Sequence, residues 1–202
     1  SLQVMVSMMT DEKDVRPIRQ GSIDHLCGVY SVLNATEVLI GKYRVDRKRK
    51  RKSSQRKTLF NDLIGHLAKS NLLKEALTAG IDDIDIGLID VAIESVRSYQ
   101  KQKMRKRKAF ETDDVTLDEY WEQLTQHLYQ PDSAVIILLT GRIKHWTCVK
   151  AITPEAMILS DSTGMKKIAR SHCTVDTENR EMYTLWPAMT YLLSVERNNE
   201  DE

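Results

Sequence analysis

"IRQGSIDHLCGVYSVLNATEVLIG", Ile18–Gly41, decides how this chain is read. Val29, Tyr30, Leu33, Val38 and Leu39 recur at helical spacing and give a broad apolar face, and Gly41 stands where a helix stops. The spacing predicts a helix over Cys27–Ile40, with Cys27 at its head and Gln20 seven positions before it. A cysteine in that place has two readings. It packs as a small hydrophobe, the commoner case. Alternatively it is a nucleophile, because the unpaired N–H groups and the dipole at a helix N-terminus favour a thiolate.

Thiolate chemistry needs more than a thiol: a base within hydrogen-bond reach, a group that orients the base, and donors for the oxyanion. Of the five histidines, His25 is a loop neighbour of Cys27, His66 and His127 fall in predicted helices, and His172 lies in a polar loop. His145 opens the run "HWTCVKAIT", which predicts a strand and offers a rigid platform for a base. Asp161 ends the next run, "AMILSD", across a turn at Thr153–Glu155. Equivalent ends of two antiparallel strands lie ~5 Å apart, so the hairpin predicts Asp161 beside His145, fixing its tautomer. Gln20 is positioned to supply a side-chain N–H beside the backbone N–H of Cys27. Trp146 reads as a wall of the site or as a core aromatic, Cys148 as a core thiol, and Cys173 as an incidental residue of a polar loop.

These residues resemble the papain-like cysteine peptidases. The resemblance rests on the glutamine and "CGVYSVLNA", followed by "HWTCVKAI" and "MILSDSTG". The layout is closest to the bacteriocin leader-processing (double-glycine) peptidase domains, with the Josephin-type deubiquitinases second. It implies Cys27 as nucleophile, His145 as base, Asp161 as its orienting group and Gln20 as oxyanion donor. It covers Pro17–Gly41 and Gly141–Ile168, and Lys42–Asp132 carries no family signal. The Gln20–Cys27 spacing is one residue longer than the usual papain pattern.

The rest of the chain fits an α+β order. Helices are predicted at Thr58–Ser70, Leu72–Ala79, around Ile86–Val96 and after Thr116, whose pairing with Glu119 is a capping-box pattern. The β-rich runs "SAVIILLTG", "HWTCVKAIT", "AMILSD", "MKKIAR" and "MTYLLSVER" come after Pro131, and a weak strand signal lies at Leu2–Met9. A length of 202 residues predicts one domain, 1–202.

Three scattered cysteines make no disulfide framework, and no run approaches the ~18 apolar residues of a membrane span. A cytoplasmic, reducing setting is expected, with delivery into a host cell as an alternative context. No C-x-x-C pair is present, so neither a metal nor any other cofactor is expected.

Net charge is +1, yet sixteen of the thirty Lys and Arg residues lie in Lys42–Lys57 and Lys101–Lys108. Both runs read as exposed basic loops. The densest part, Arg47, Lys48, Arg49, Lys50, Arg51 and Lys52, is a candidate contact for an acidic partner, a phosphoinositide or nucleic acid.

The expectation is a peptidase that hydrolyses a peptide or isopeptide bond in a specific protein substrate, with deamidation or acyl transfer open to the same apparatus. Two alternatives stand beside it: an inactive papain-like binding module, and a basic nucleic-acid- or anion-binding protein in which Cys27 is only core.

Overall fold

The computed structural model describes residues 17–19, 25–41, 49–85, 87–179 and 181–196. The strand signal at Leu2–Met9, together with Gln20, Arg47 and Lys48, lies outside them.

Helix α1 (Cys27–Ile40) has the predicted bounds and is buried on almost every side. An all-round buried helix must bond each of its polar groups internally. Ser31 Oγ donates to the Gly28 carbonyl at 2.7 Å and Thr36 Oγ1 to the Val32 carbonyl at 2.8 Å. Asn34 bonds the backbone of Ile18, and Glu37 accepts from Arg56 at 2.7 Å.

Three helices follow: α2 (Arg49–Lys69), α3 (Leu73–Thr78) and α4 (Leu88–Gln100). Then come strand β1 (Lys103–Lys108) and helix α5 (Leu117–Leu128), the latter opened by the Thr116–Glu119 capping box that the sequence predicts. Seven more strands complete the sheet: β2 (Ser133–Gly141), β3 (His145–Ile152), β4 (Ala156–Ser160), β5 (Lys167–Ala169), β6 (Cys173–Thr174), β7 (Tyr183–Leu185) and β8 (Tyr191–Glu196). The sheet runs β1-β8-β2-β3-β4-β5, each neighbour antiparallel. Strand β7 pairs the far end of β2 and carries β6 beside it in parallel. The fold is therefore α+β.

Strand β2 shows why the sheet sits where it does. Its sequence is apolar without alternation because both faces are covered. Ala134, Ile136 and Leu138 join a core with α1, α2 and α4, whereas Val135, Ile137 and Leu139 meet Tyr120, Trp121, Leu124 and Leu128 of α5. The result is three layers, with α1–α4 on one face of the sheet and α5 on the other.

Within the described residues, both basic runs depart from the loop expectation. Arg49, Lys50, Arg51 and Lys52 begin α2, continuous with the amphipathic turns that end at Lys69. Lys and Arg are good helix formers, and a run made of them shows no apolar period by which to be found. Residues 103–108 are an edge strand paired with β8. Met104 is buried, and Lys106 on the same side reaches Asp85 at 2.7 Å and Asp90 at 2.8 Å. The inward position is a lysine, so the alternation is hidden, while the outward Lys and Arg suit an edge strand. Cys173 also departs from its loop: it is buried in β6 and packs in the α5-side core.

Gly87 opens α4 at φ +97°, and a Cβ there would stand 2.8 Å from His66 Nε2. Left-handed backbone costs a side chain about 1–2 kcal/mol, and the His66 ring must also move. Gly87→Ala is expected to lower stability by about 1–3 kcal/mol, seen as a lower urea midpoint with an unchanged slope.

Candidate active site

The site is built at one end of the sheet, where α1 starts. Leu26 precedes Cys27 as an N-cap without a side-chain hydrogen bond, and the first turn holds no acidic residue. Good helices favour Ser, Thr, Asp or Asn at the cap and acids in the first turn. Here both preferences are broken. The positive end of α1 is left to the Cys27 sulfur, which is half-buried and takes hydrogen bonds from the His145 ring and from the backbone N–H groups of Trp146 and Gly28.

His145 is the first residue of β3, and its Nε2 bonds Asp161 Oδ1 at 2.6 Å. With Nε2 engaged there, Nδ1 is the nitrogen that serves Cys27. A β-bulge makes this alignment. Near the turn Ile152 pairs with Met157 and Ala151 with Ile158, but beyond Lys150 the partners become Val149 with Leu159 and Cys148 with Ser160. A regular ladder would set Asp161 opposite Cys148, whose side chain enters the α1-side core. The extra residue instead sets it opposite Thr147, on the face shared with His145. Thr147 Oγ1 donates to the same Oδ1 at 2.7 Å. The other oxygen, Oδ2, accepts from Thr163 N at 2.7 Å, Thr163 Oγ1 at 2.6 Å, Gly164 N at 3.1 Å and Met165 N at 3.2 Å.

The three groups bias one another's protons. Burial raises the Asp161 pKa, but the His145 hydrogen bond and charge, with the Thr163 and Thr147 hydroxyls, hold the carboxyl well below the usual carboxylate range. Burial opposes the His145 cation, yet hydrogen bonds to Asp161 and Cys27 and the charges of both push its pKa up to about 9. Burial also opposes the Cys27 thiolate. The His145 hydrogen bond, the Trp146 N–H, the His145 charge and the Gly28 N–H outweigh it, so the thiol titrates below its ordinary value. All three shifts favour a thiolate–imidazolium pair backed by a carboxylate.

A cleft of ≈ 250 Å³ opens beside the sulfur, lined by His25, Ala79, Gly80, Ile81, Lys144 and Thr163 among others. One wall is Ala79, Gly80 and Ile81, and residues that flank His145 hold this wall and the segment that continues from it. Trp146 Nε1 donates to the Ile81 carbonyl at 2.8 Å, and Lys144 pairs with Asp82. Tyr191 from β8 adds a hydrogen bond to Asp83 at 2.8 Å. Trp146 borders the cleft, but its ring is 1% exposed and packs against Tyr191 in the core. It anchors the wall.

Cys27, His145 and Asp161 are thus brought together as the sequence predicts, and Gln20 lies outside the described residues. Of the other histidines, His25 lines the cleft, His127 bonds the Leu193 carbonyl at 2.9 Å and His172 is exposed. Cys148 is fully buried, and burial beside Glu181 pushes the Cys173 thiol up to about 12. Sequence reasoning missed Thr147, Thr163 and the wall at Ala79, Gly80 and Ile81. The threonines were findable, since one stands two residues after His145 and the other two after Asp161; the wall carries no local signal. Among the described residues no cluster of three His, Cys, Asp or Glu is arranged to hold a metal, and no helix is long and apolar enough to cross a membrane. The sequence matches no protein-family model and no curated protein.

Proposed function

We propose that the chain is a papain-like cysteine peptidase that cleaves a peptide or isopeptide bond in a protein substrate. One observation carries this reading: separate elements deliver Cys27, His145 and Asp161 into a hydrogen-bonded line at the edge of an open cleft. Cys27 Sγ⁻ attacks the scissile carbonyl carbon, and the C=O π pair moves onto oxygen. The Cys27 backbone N–H and the Gln20 side chain receive that oxyanion. His145 gives its Nδ1 proton to the leaving amine as the C–N bond breaks, leaving a thioester. Neutral His145 then takes a proton from water, whose oxygen displaces Cys27 as the acid product forms.

The competent pair exists only within a pH window. Below the lowered Cys27 pKa the sulfur is a thiol, and above about 9 His145 loses the proton that the leaving group needs. A bell-shaped kcat/KM is expected, with an alkaline limb near pH 9 and an acid limb below the ordinary thiol range; these limbs belong to the pair. The test is a library of denatured-proteome peptides incubated with wild type and Cys27→Ala, with new termini read by mass spectrometry. Cuts that need Cys27 and follow the bell support the reading, and a library left intact at every pH overturns it.

The anion-binding reading draws less support from the second basic run. Lys103 and Arg105 pair with Glu196, and Lys106 with Asp85 and Asp90, so three of its six bases already face carboxylates.

A further inference from the structure

Arg19 is exposed, yet its place is fixed from two directions. The residue before it is held by Asn34, which is fully buried on α1. Asn34 Oδ1 accepts from the Ile18 N–H at 2.6 Å, and Nδ2 donates to the Ile18 carbonyl at 3.1 Å. Both backbone groups of Ile18 are thereby tied, as a neighbouring strand would tie them.

The other end of Arg19 stands over the turn that carries Asp161. A Cβ on Gly164 would lie 3.5 Å from Nη1 and 3.6 Å from Cζ and Nη2. Near-equal distances to three atoms of a planar group mean that the guanidinium turns its face to Gly164. Its five N–H donors lie in the plane, so this approach uses none of them. Thr163, the residue before Gly164, lines the cleft beside Cys27. The guanidinium therefore stands at the cleft rim with its donors unspent.

Nothing else in the site claims that charge. The six donors on Asp161 come from His145, Thr147, Thr163, Gly164 and Met165. Among the described residues Arg19 has no hydrogen-bond or ion-pair partner. The other cations are matched, Lys144 by Asp82 and His145 by Asp161. No Asp or Glu is among the described residues that line the cleft. A cleft edged by one sign of charge draws the opposite sign, and a guanidinium held in advance loses less on binding.

We infer that Arg19 is a specificity-determining residue that receives a carboxylate, so that the substrate is cut beside an Asp or Glu whose side chain takes two parallel N–H···O bonds. This rests on the peptidase reading above.

The peptide library cut by wild type should show Asp or Glu enriched within about three residues of the new termini, the reach of one side chain and a short extended segment. The best-cut sequence is then made as end-blocked peptides, in which only side chains carry carboxylates, with Glu, Gln or Lys at the enriched position. Wild type is expected to prefer the Glu peptide over the Gln peptide about tenfold or more in kcat/KM, the scale of a hydrogen bond between charged groups. Arg19→Gln should bring that ratio within about twofold. Arg19→Glu should reverse the choice and favour the Lys peptide. Iodoacetamide, which is uncharged, should alkylate Cys27 of Arg19→Gln within about twofold of the wild-type rate.

Cuts without enrichment of Asp or Glu overturn the inference and leave the peptidase reading standing. So does a preference for Glu that survives Arg19→Gln. An equal fall on the Glu and Gln peptides would make Arg19 a support of the Asp161 turn and overturn it as well. A library left intact by wild type removes the peptidase reading, and this inference with it.

Discussion

Asp161→Asn is expected to cost about 10³- to 10⁴-fold in kcat/KM, far more than the loss of one charge beside a histidine suggests. The reason lies in how the two oxygens are employed. Six hydrogen bonds reach the carboxylate, and in the active protonation state all of them come from donors. An asparagine has a single acceptor oxygen. Three of the four donors at Oδ2 are backbone N–H groups of Thr163, Gly164 and Met165, which cannot turn away. The amide oxygen must therefore face the turn, and the NH₂ must face His145 Nε2. The Thr147 hydroxyl can rotate and accept. The imidazole can comply only by giving up its Nε2 proton, which leaves Nδ1–H pointing at Cys27. That tautomer cannot take the thiol proton, and the cation has lost its carboxylate. In Ser-His-Asp enzymes the wrong tautomer alone costs about 10⁴.

The same substitution should raise the pH at which Cys27 becomes reactive and lower the His145 pKa from about 9, measurable by imidazole NMR titration. The turn keeps its acceptor, so the folded state persists and circular dichroism should be unchanged. Asp161→Ala, which empties the turn, is expected to lose stability as well. A tenfold or smaller loss for Asp161→Asn with the wild-type pH profile would show that Asp161 does not set the His145 tautomer.

This hairpin also marks how far the sequence could be read. The helix at Cys27, the strand at His145 and the strand ending before Asp161 follow from apolar period and turn residues, and each stands where expected. What the sequence does not announce is the bulge at Lys150, without which Asp161 would face the wrong side. A bulge is one residue more on one strand, and no residue type in "CVKAI" demands it. Strand β1 was illegible for a related reason. Its inward position is Lys106, made tolerable by Asp85 and Asp90, which are supplied from other segments. Local pattern finds elements that bury apolar side chains; it cannot see partners that arrive from distant parts of the chain. The cleft wall at Ala79, Gly80 and Ile81 and the residues after it to Asp83 are tied down by such partners, Lys144, Trp146 and Tyr191.

The three cysteines offer a comparison inside one molecule. At pH 6 an ordinary thiol with a pKa of about 8.5 is roughly 0.3% thiolate, and the His145 hydrogen bond and charge raise that fraction at Cys27 by lowering its pKa. Lower basicity weakens the nucleophile somewhat, because reactivity falls with thiol pKa. The gain in thiolate fraction outweighs that loss, so a net advantage over an ordinary thiol remains. Cys27 should therefore react with iodoacetamide at pH 6 at least about 100-fold faster than Cys148 or Cys173. Cys148 is fully buried, and Cys173 has its thiol pushed up to about 12. His145→Ala takes away the principal hydrogen bond and the charge that favour the thiolate, leaving burial opposed only by the Trp146 and Gly28 N–H groups. Cys27 should then lose roughly tenfold or more at pH 6 and recover its rate only as the pH rises past the ordinary thiol range. Peptide-resolved mass spectrometry of alkylation against pH reads all three sites in one sample, and the other two cysteines report whether the variant has loosened the fold. Equal rates at Cys27 in wild type and His145→Ala, with Cys148 and Cys173 still protected, would mean that no thiolate–imidazolium pair forms and would remove Cys27 as nucleophile.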